Sequence, residues 1–186
     1  MRVISGKFGG RRLAAVPGHR TRPTTDRVKE SVFNVVGPYF NSGNFLDLFA
    51  GSGNVGIEAA SRGCSHVTLV DRQYLAYRTI LRNVAATRSQ SLFTVYKMNA
   101  KRALIHLAEA HQRFDWVYLD PPYRLQRMTK DLLVLARKSL LNSGALVICE
   151  TDFQTKLVKQ VPGYRLIKQK RYGLALITIY RWDGHQ

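Results

Sequence analysis

Phe45-Leu46-Asp47-Leu48-Phe49 runs straight into Ala50-Gly51-Ser52-Gly53-Asn54-Val55-Gly56, an apolar strand that ends in a G-x-G-x-x-G turn and opens a helix. The turn, with Phe49 before it and Gly51 and Gly53 inside it, lets a ligand touch the backbone. Asp71 follows Gly51 by twenty positions and closes the next apolar run. A carboxylate there can accept hydrogen bonds from both ribose hydroxyls of an adenosine-type cofactor. Asp47 separates the cofactors of that type. At the carboxyl end of the first strand it disfavours a pyrophosphate and suits the cationic methionine part of S-adenosylmethionine, whose ammonium needs an acceptor. The competing reading of Asp47 is a turn or helix-cap residue. Asn99, followed by Ala100, comes just after the third strand and can offer its side-chain oxygen to an adenine amine, or it is an ordinary loop residue.

Outward from that loop, short apolar runs alternate with helical stretches. The strands are expected at Phe45–Phe49, His66–Asp71, Leu92–Met98, Asp115–Asp120 and Ala145–Glu150. Alternation of this kind predicts an α/β fold, a mostly parallel sheet with helices on both faces. Tyr164–Gln169 and Leu174–Trp182 are joined by Lys170–Gly173, too short for a crossover helix, so a C-terminal antiparallel hairpin is expected. Upstream, Thr25 and Asp26 can start a helix with Val28, Val32, Val35 and Val36 on one face, stopped by Gly37 and Pro38. The glycine-rich, basic Val3–Leu13 reads as an extended arm or hairpin.

The chain of 186 residues carries 29 Lys and Arg against 12 Asp and Glu, a net charge of +17. One domain over 1–186, with a basic extension at about 1–24, fits that length. Both ends are acid-poor: Arg2–Glu30 has eight basic residues and two acidic ones, and Phe153–Trp182 has seven and none. Such a surface favours a polyanion over a small acidic metabolite. No run reaches the ~18 apolar residues of a membrane span. A cytoplasmic protein without a membrane partner is therefore expected. Cys64 and Cys149 lack the spacing of a metal site or a disulfide framework and are expected reduced and buried, with no metal bound.

Phe114-Asp115-Trp116-Val117-Tyr118-Leu119 leads into Asp120-Pro121-Pro122-Tyr123, whose prolines must end the fourth strand at the carboxyl edge. An exocyclic amine of a base is a poor nucleophile because its lone pair is delocalised into the ring. If the Asp120 carboxylate and the Pro121 carbonyl each accept one N–H, that lone pair turns toward a methyl donor. Tyr123 can stack on the base. The competing reading is a strand-ending turn with a packed tyrosine.

Taken together, these segments closely resemble the small class I (Rossmann-like) methyltransferases that modify guanine N2 in bacterial small-subunit ribosomal RNA, the RsmD type. The resemblance covers nearly the whole chain. It rests on Arg2-Val3-Ile4-Ser5-Gly6 with Gly10-Arg11-Arg12-Leu13, on Arg22-Pro23-Thr24-Thr25-Asp26-Arg27-Val28-Lys29-Glu30-Ser31, and on the glycine loop. It continues through Glu58-Ala59 with Ser61-Arg62-Gly63, Asp120-Pro121-Pro122-Tyr123, and Lys170-Arg171-Tyr172-Gly173. The family usually has Glu at the position of Asp71 and Asp at the position of Asn99. The resemblance implies S-adenosylmethionine as cofactor, with Arg22 to Thr25, including Thr24, closing over its methionine end. It also implies ribosomal RNA as partner, within a small-subunit particle; a monomer is expected. Arg11, Arg12, Lys170 and Arg171 are the expected phosphate contacts. An adenine-N6 or cytosine-N4 methyltransferase would use the same tetrapeptide. A nicotinamide dehydrogenase would leave Asp47 and Asp120 without a purpose, and a non-catalytic ribosome assembly factor would need only the basic ends.

Overall fold

The computed structural model describes residues 1–18, 26–121, 126–154 and 160–184. The chain forms two compact units, Met1–Ala100 and Lys101–Gln186. In the first, β1 (Asn44–Asp47), β2 (His66–Asp71) and β3 (Phe93–Lys97) are parallel in the order β3-β2-β1. Their connections are α2 (Asn54–Ser61) and α3 (Tyr74–Ala86), the second followed by a single 3-10 turn at Gln90–Leu92. β2 is apolar and buried along its interior, as expected of a strand covered on both faces. Gly56 is what lets α2 lie close to it: a Cβ there would come within 2.3 Å of the Leu69 side chain and 2.9 Å of Val67.

α1 (Asp26–Val36) buries Val28, Lys29, Val32, Phe33 and Val36, while Val35 is only half-buried. Its inner face is thus one residue off the expected valine stripe, and Phe33 stacks on Phe45 of β1 with ring centres 6.3 Å apart. The surprise is Lys29. Its ammonium meets Glu58 Oε2 at 3.0 Å and donates to Asn54 Oδ1 at 2.7 Å and to the Arg2 carbonyl at 2.6 Å. Burial lowers its pKa, and the Glu58 charge pulls the other way.

Glu58 is the hub of this cluster. Its Oε1 takes the Arg62 Nε at 2.8 Å and the Ser5 amide at 3.0 Å, and its Oε2 also takes the Ile4 amide at 2.7 Å. Val3–Leu13 folds back on itself through an Arg2–Arg12 bridge, Val3 N to Arg11 O and Gly10 N to Val3 O. Of the two forms expected, arm or hairpin, the segment takes the hairpin, docked with its Phe8 buried and flanked by the Lys7 and Arg11 cations.

In the second unit, β4 (Phe114–Leu119) pairs in parallel with β5 (Leu141–Asp152). β5 is antiparallel to β7 (Ala175–Trp182), which is antiparallel to β6 (Tyr164–Tyr172). α4 (Ala100–Glu109) and α5 (Gln126–Arg137) complete it. The parallel strands and the C-terminal hairpin are as expected, with two changes of boundary. β5 is twice as long as its apolar core, because a bulge opposite Phe114 to Trp116 absorbs its polar start, and Asp152 still pairs with Ala175. The hairpin turn is only Gly173-Leu174, made possible by Gly173 at φ 62°. Lys170 and Arg171 therefore lie in β6, opposite Ile177 and Leu176, and not in the turn. Cys64 and Cys149 are free and buried, and burial pushes the Cys149 thiol well up. Among the described residues no cluster could hold a metal ion and no helix is long and apolar enough to cross a membrane.

Candidate active site

The glycine loop leaves β1 at Asp47, which is buried and accepts the Gly56 amide on Oδ2 at 3.2 Å. Gly56 is the third residue of α2, so Asp47 satisfies one of the helix's orphan donors and places a negative charge at its positive end. The cap reading of Asp47 is thus correct for one oxygen. A carboxylate has about four acceptor positions and is the kind of group that receives an ammonium.

Asp71 does more than the sequence suggested. Its Oδ2 accepts the Gly51 amide at 2.9 Å and its Oδ1 the Gln73 amide at 2.8 Å, so the carboxylate clamps the glycine loop to the start of α3. Spacing alone pointed to a ribose contact, because backbone amides leave no mark in a sequence. The loop is held from a third direction by Asn83, whose Nδ2 donates to Ser52 O at 2.9 Å and to Ala14 O at 3.0 Å. Asn83 escaped the sequence reading: a single Asn within an amphipathic helix carries no signal.

These fixtures leave Gly51 at φ 55° with nothing within 4 Å of the place a Cβ would take. Gly53 is also left-handed, at φ 79°. Phe49 is half-buried ahead of the loop, Ala100 is buried at the first turn of α4, and Asn99 is exposed just before it. An open cradle of backbone, flanked by two carboxylates and free of basic side chains at 47–56, fits a cofactor with ribose hydroxyls and a cationic end and does not favour a diphosphate. Replacing Asp71 by Ala removes the clamp as well as the acceptor. S-adenosylmethionine and its demethylated product are expected to bind about tenfold or more weaker, equally for both, by calorimetry. Unchanged affinity would overturn the assignment.

In the second unit, Asp120 is exposed directly after β4 and Pro121 is half-buried beside it. β4 is anchored below them: Leu119 pairs with Cys149, and the Tyr118 hydroxyl donates to Glu150 Oε2. Asp120 therefore stands at the solvent-facing end of a buried strand. Pro122, Tyr123 and Thr24 lie outside the described residues, as do the rest of 19–25. Of the expected phosphate contacts, Arg12, Lys170 and Arg171 are exposed, while Arg11 is half-buried over Phe8. The guanidinium of Arg171 lies 3.9 Å from the Phe153 ring centre, and its Nε donates to Gly173 O at 2.7 Å.

The chain is similar along its full length to proteins already described. It is 42% identical to YlbH of Bacillus subtilis over 184 residues, 99% of this chain and 100% of that protein. It is 29% identical to the ribosomal RNA small subunit methyltransferase D of Escherichia coli K12, covering 99% of this chain and 91% of that one. The solved structure of the Escherichia coli protein yhhF superimposes with a TM-score of 0.86 at 29% identity, over 100% of this chain and 99% of that one. With a family model matching residues 1–181 and relatives aligned from end to end, the chain belongs to the family described as Conserved hypothetical protein 95, alongside the ribosomal RNA small subunit methyltransferases D.

Proposed function

We propose that this chain methylates the exocyclic N2 of a guanine in small-subunit ribosomal RNA, using S-adenosylmethionine. The observation that carries the reading is the clamped glycine loop, with Asp47 and Asp71 on backbone amides beside an open Gly51, in a full-length member of this family. When bound, the cofactor supplies an electrophilic methyl group on a positively charged sulfur. Asp71 holds the ribose hydroxyls and Asp47 the methionine ammonium, while Phe49, Gly53, Asn99 and Ala100 border the nucleoside and Thr24 the methionine end. Asp120 and the Pro121 carbonyl each accept one N–H of the guanine amine. Those contacts would orient the nitrogen lone pair and stabilise the positive charge the amine gains, and its excess proton would leave along the Asp120 hydrogen bond to solvent. Pro122 belongs to the same catalytic tetrapeptide, and Tyr123 stacks on the base.

Arg11, Arg12, Lys170 and Arg171 bind phosphates and thereby position the RNA, without themselves reading its sequence. Residues 1–186 act as a single methyltransferase domain, monomeric and cytoplasmic, on RNA folded within a small-subunit particle. The target guanine is unstacked into the site, so shape is read and not a linear sequence. The test is mass spectrometry of nucleosides from ribosomal RNA of cells with and without this gene. Loss of one N2-methylguanosine per small subunit is expected, and an unchanged nucleoside profile would sink the proposal.

A further inference from the structure

From Arg72 to Ala100 the sequence has five basic residues and no acidic one. α3 runs through this segment with one face inward: Ala76, Thr79, Ile80, Asn83 and Val84 are buried. The opposite face presents Tyr74, Leu75, Arg78, Leu81 and Arg82 to solvent. Tyr74, Leu75 and Leu81 are 57%, 49% and 39% exposed. Among the described residues, three of the seven exposed large hydrophobic side chains lie on this one face, interleaved with its cations. The charge is equally one-sided. Lys97, at the end of β3, lies 5.5 Å from the Tyr74 ring centre, and Arg72 is exposed just ahead of the helix. The neighbouring acid, Asp71, is turned onto the Gly51 and Gln73 amides.

We infer that the outer face of α3 is a second RNA-binding surface, which holds the backbone of a segment flanking the target. The inference rests on the reading of ribosomal RNA as substrate and extends it to residues other than Arg11, Arg12, Lys170 and Arg171. Charge complementarity selects the occupant, since an acid-free face suits phosphates and repels basic proteins. Arg78 and Arg82 are one turn apart on the same side, about 6 Å along the axis, and can contact neighbouring phosphates of one strand. Tyr74 and the two leucines offer flat apolar area to unpaired bases and sugars. The same helix also holds the glycine loop through Asn83, so RNA seated outside is in fixed register with the cofactor loop inside.

The experiment compares Arg78→Gln/Arg82→Gln with Arg137→Gln/Lys138→Gln, which removes the same charge from the exposed end of α5. Binding of a small-subunit ribosomal RNA transcript is measured against salt, with cofactor affinity measured in parallel. The α3 pair should bind about tenfold weaker, and its slope of log affinity against log salt should be shallower by about 1.4 to 1.8, the value for two lost phosphate contacts. The α5 pair should stay close to the unmodified protein, and cofactor affinity should be unchanged in both. An unchanged slope for the α3 pair, or an equal fall in both pairs, would overturn the surface. Binding needs no turnover, so unmodified protein that binds the transcript but never methylates RNA in any form would refute the proposed activity and leave this comparison intact.

Discussion

Asp120→Ala is expected to lower methyl transfer by about 10²- to 10³-fold at saturating RNA and cofactor, the usual cost of removing one group that meets developing charge. Cofactor affinity should remain within about twofold. The separation follows from position: Asp120 is exposed after β4, outside the buried core, so the variant should fold, which its urea unfolding midpoint checks. Asp120→Asn keeps an acceptor oxygen but no charge and should fall between the two. Single-turnover methylation of small-subunit RNA, with cofactor binding measured alongside, checks all three. A near-normal rate for Asp120→Ala would end the mechanism proposed for the amine.

Glu58→Ala should have the largest effect on stability. It removes the carboxylate that pairs with both the Lys29 ammonium and the Arg62 guanidinium, each buried, and strips the Ile4 and Ser5 amides of their acceptor. Breaking a buried pair from one side costs about 3 to 5 kcal/mol, a large part of the ~5 to 15 kcal/mol that holds a domain together. Lys29→Met should cost less, because it leaves Glu58 and Arg62 as a balanced pair 2.8 Å apart. Urea unfolding of the two variants orders them. If Lys29→Met proved the more damaging, Glu58 would not be the centre of the cluster.

The two variants also mark where sequence reading reaches its limit. Strands such as His66–Asp71 were legible because a parallel strand buried on both faces must be apolar throughout. The glycine loop was legible because its turn demands residues without side chains. Lys29 was not, since a lysine in a basic segment reads as solvated and only the fold brings Glu58, 29 positions later, against it. The amide partners of Asp71 were hidden for the same reason that Lys170 and Arg171 were misplaced: backbone hydrogen bonds depend on φ and on register, which residue types constrain weakly. Thus the carboxylates of the site could be named in advance, but not what else they hold.

The docked hairpin at the beginning of the chain has a consequence for the order of synthesis. Ile4 and Ser5 leave the ribosome before their acceptor exists, because Glu58 is 54 and 53 positions further on. At ~5 to 20 residues per second the gap is roughly 3 to 10 s, far longer than a short hairpin needs to form and dissolve. During that interval the Ile4 and Ser5 amides have no acceptor to hold the segment that carries Arg2, Lys7, Arg11 and Arg12, which emerges beside a particle made largely of RNA. Completion of α2 supplies that acceptor and fixes the cation-bearing hairpin against the helix.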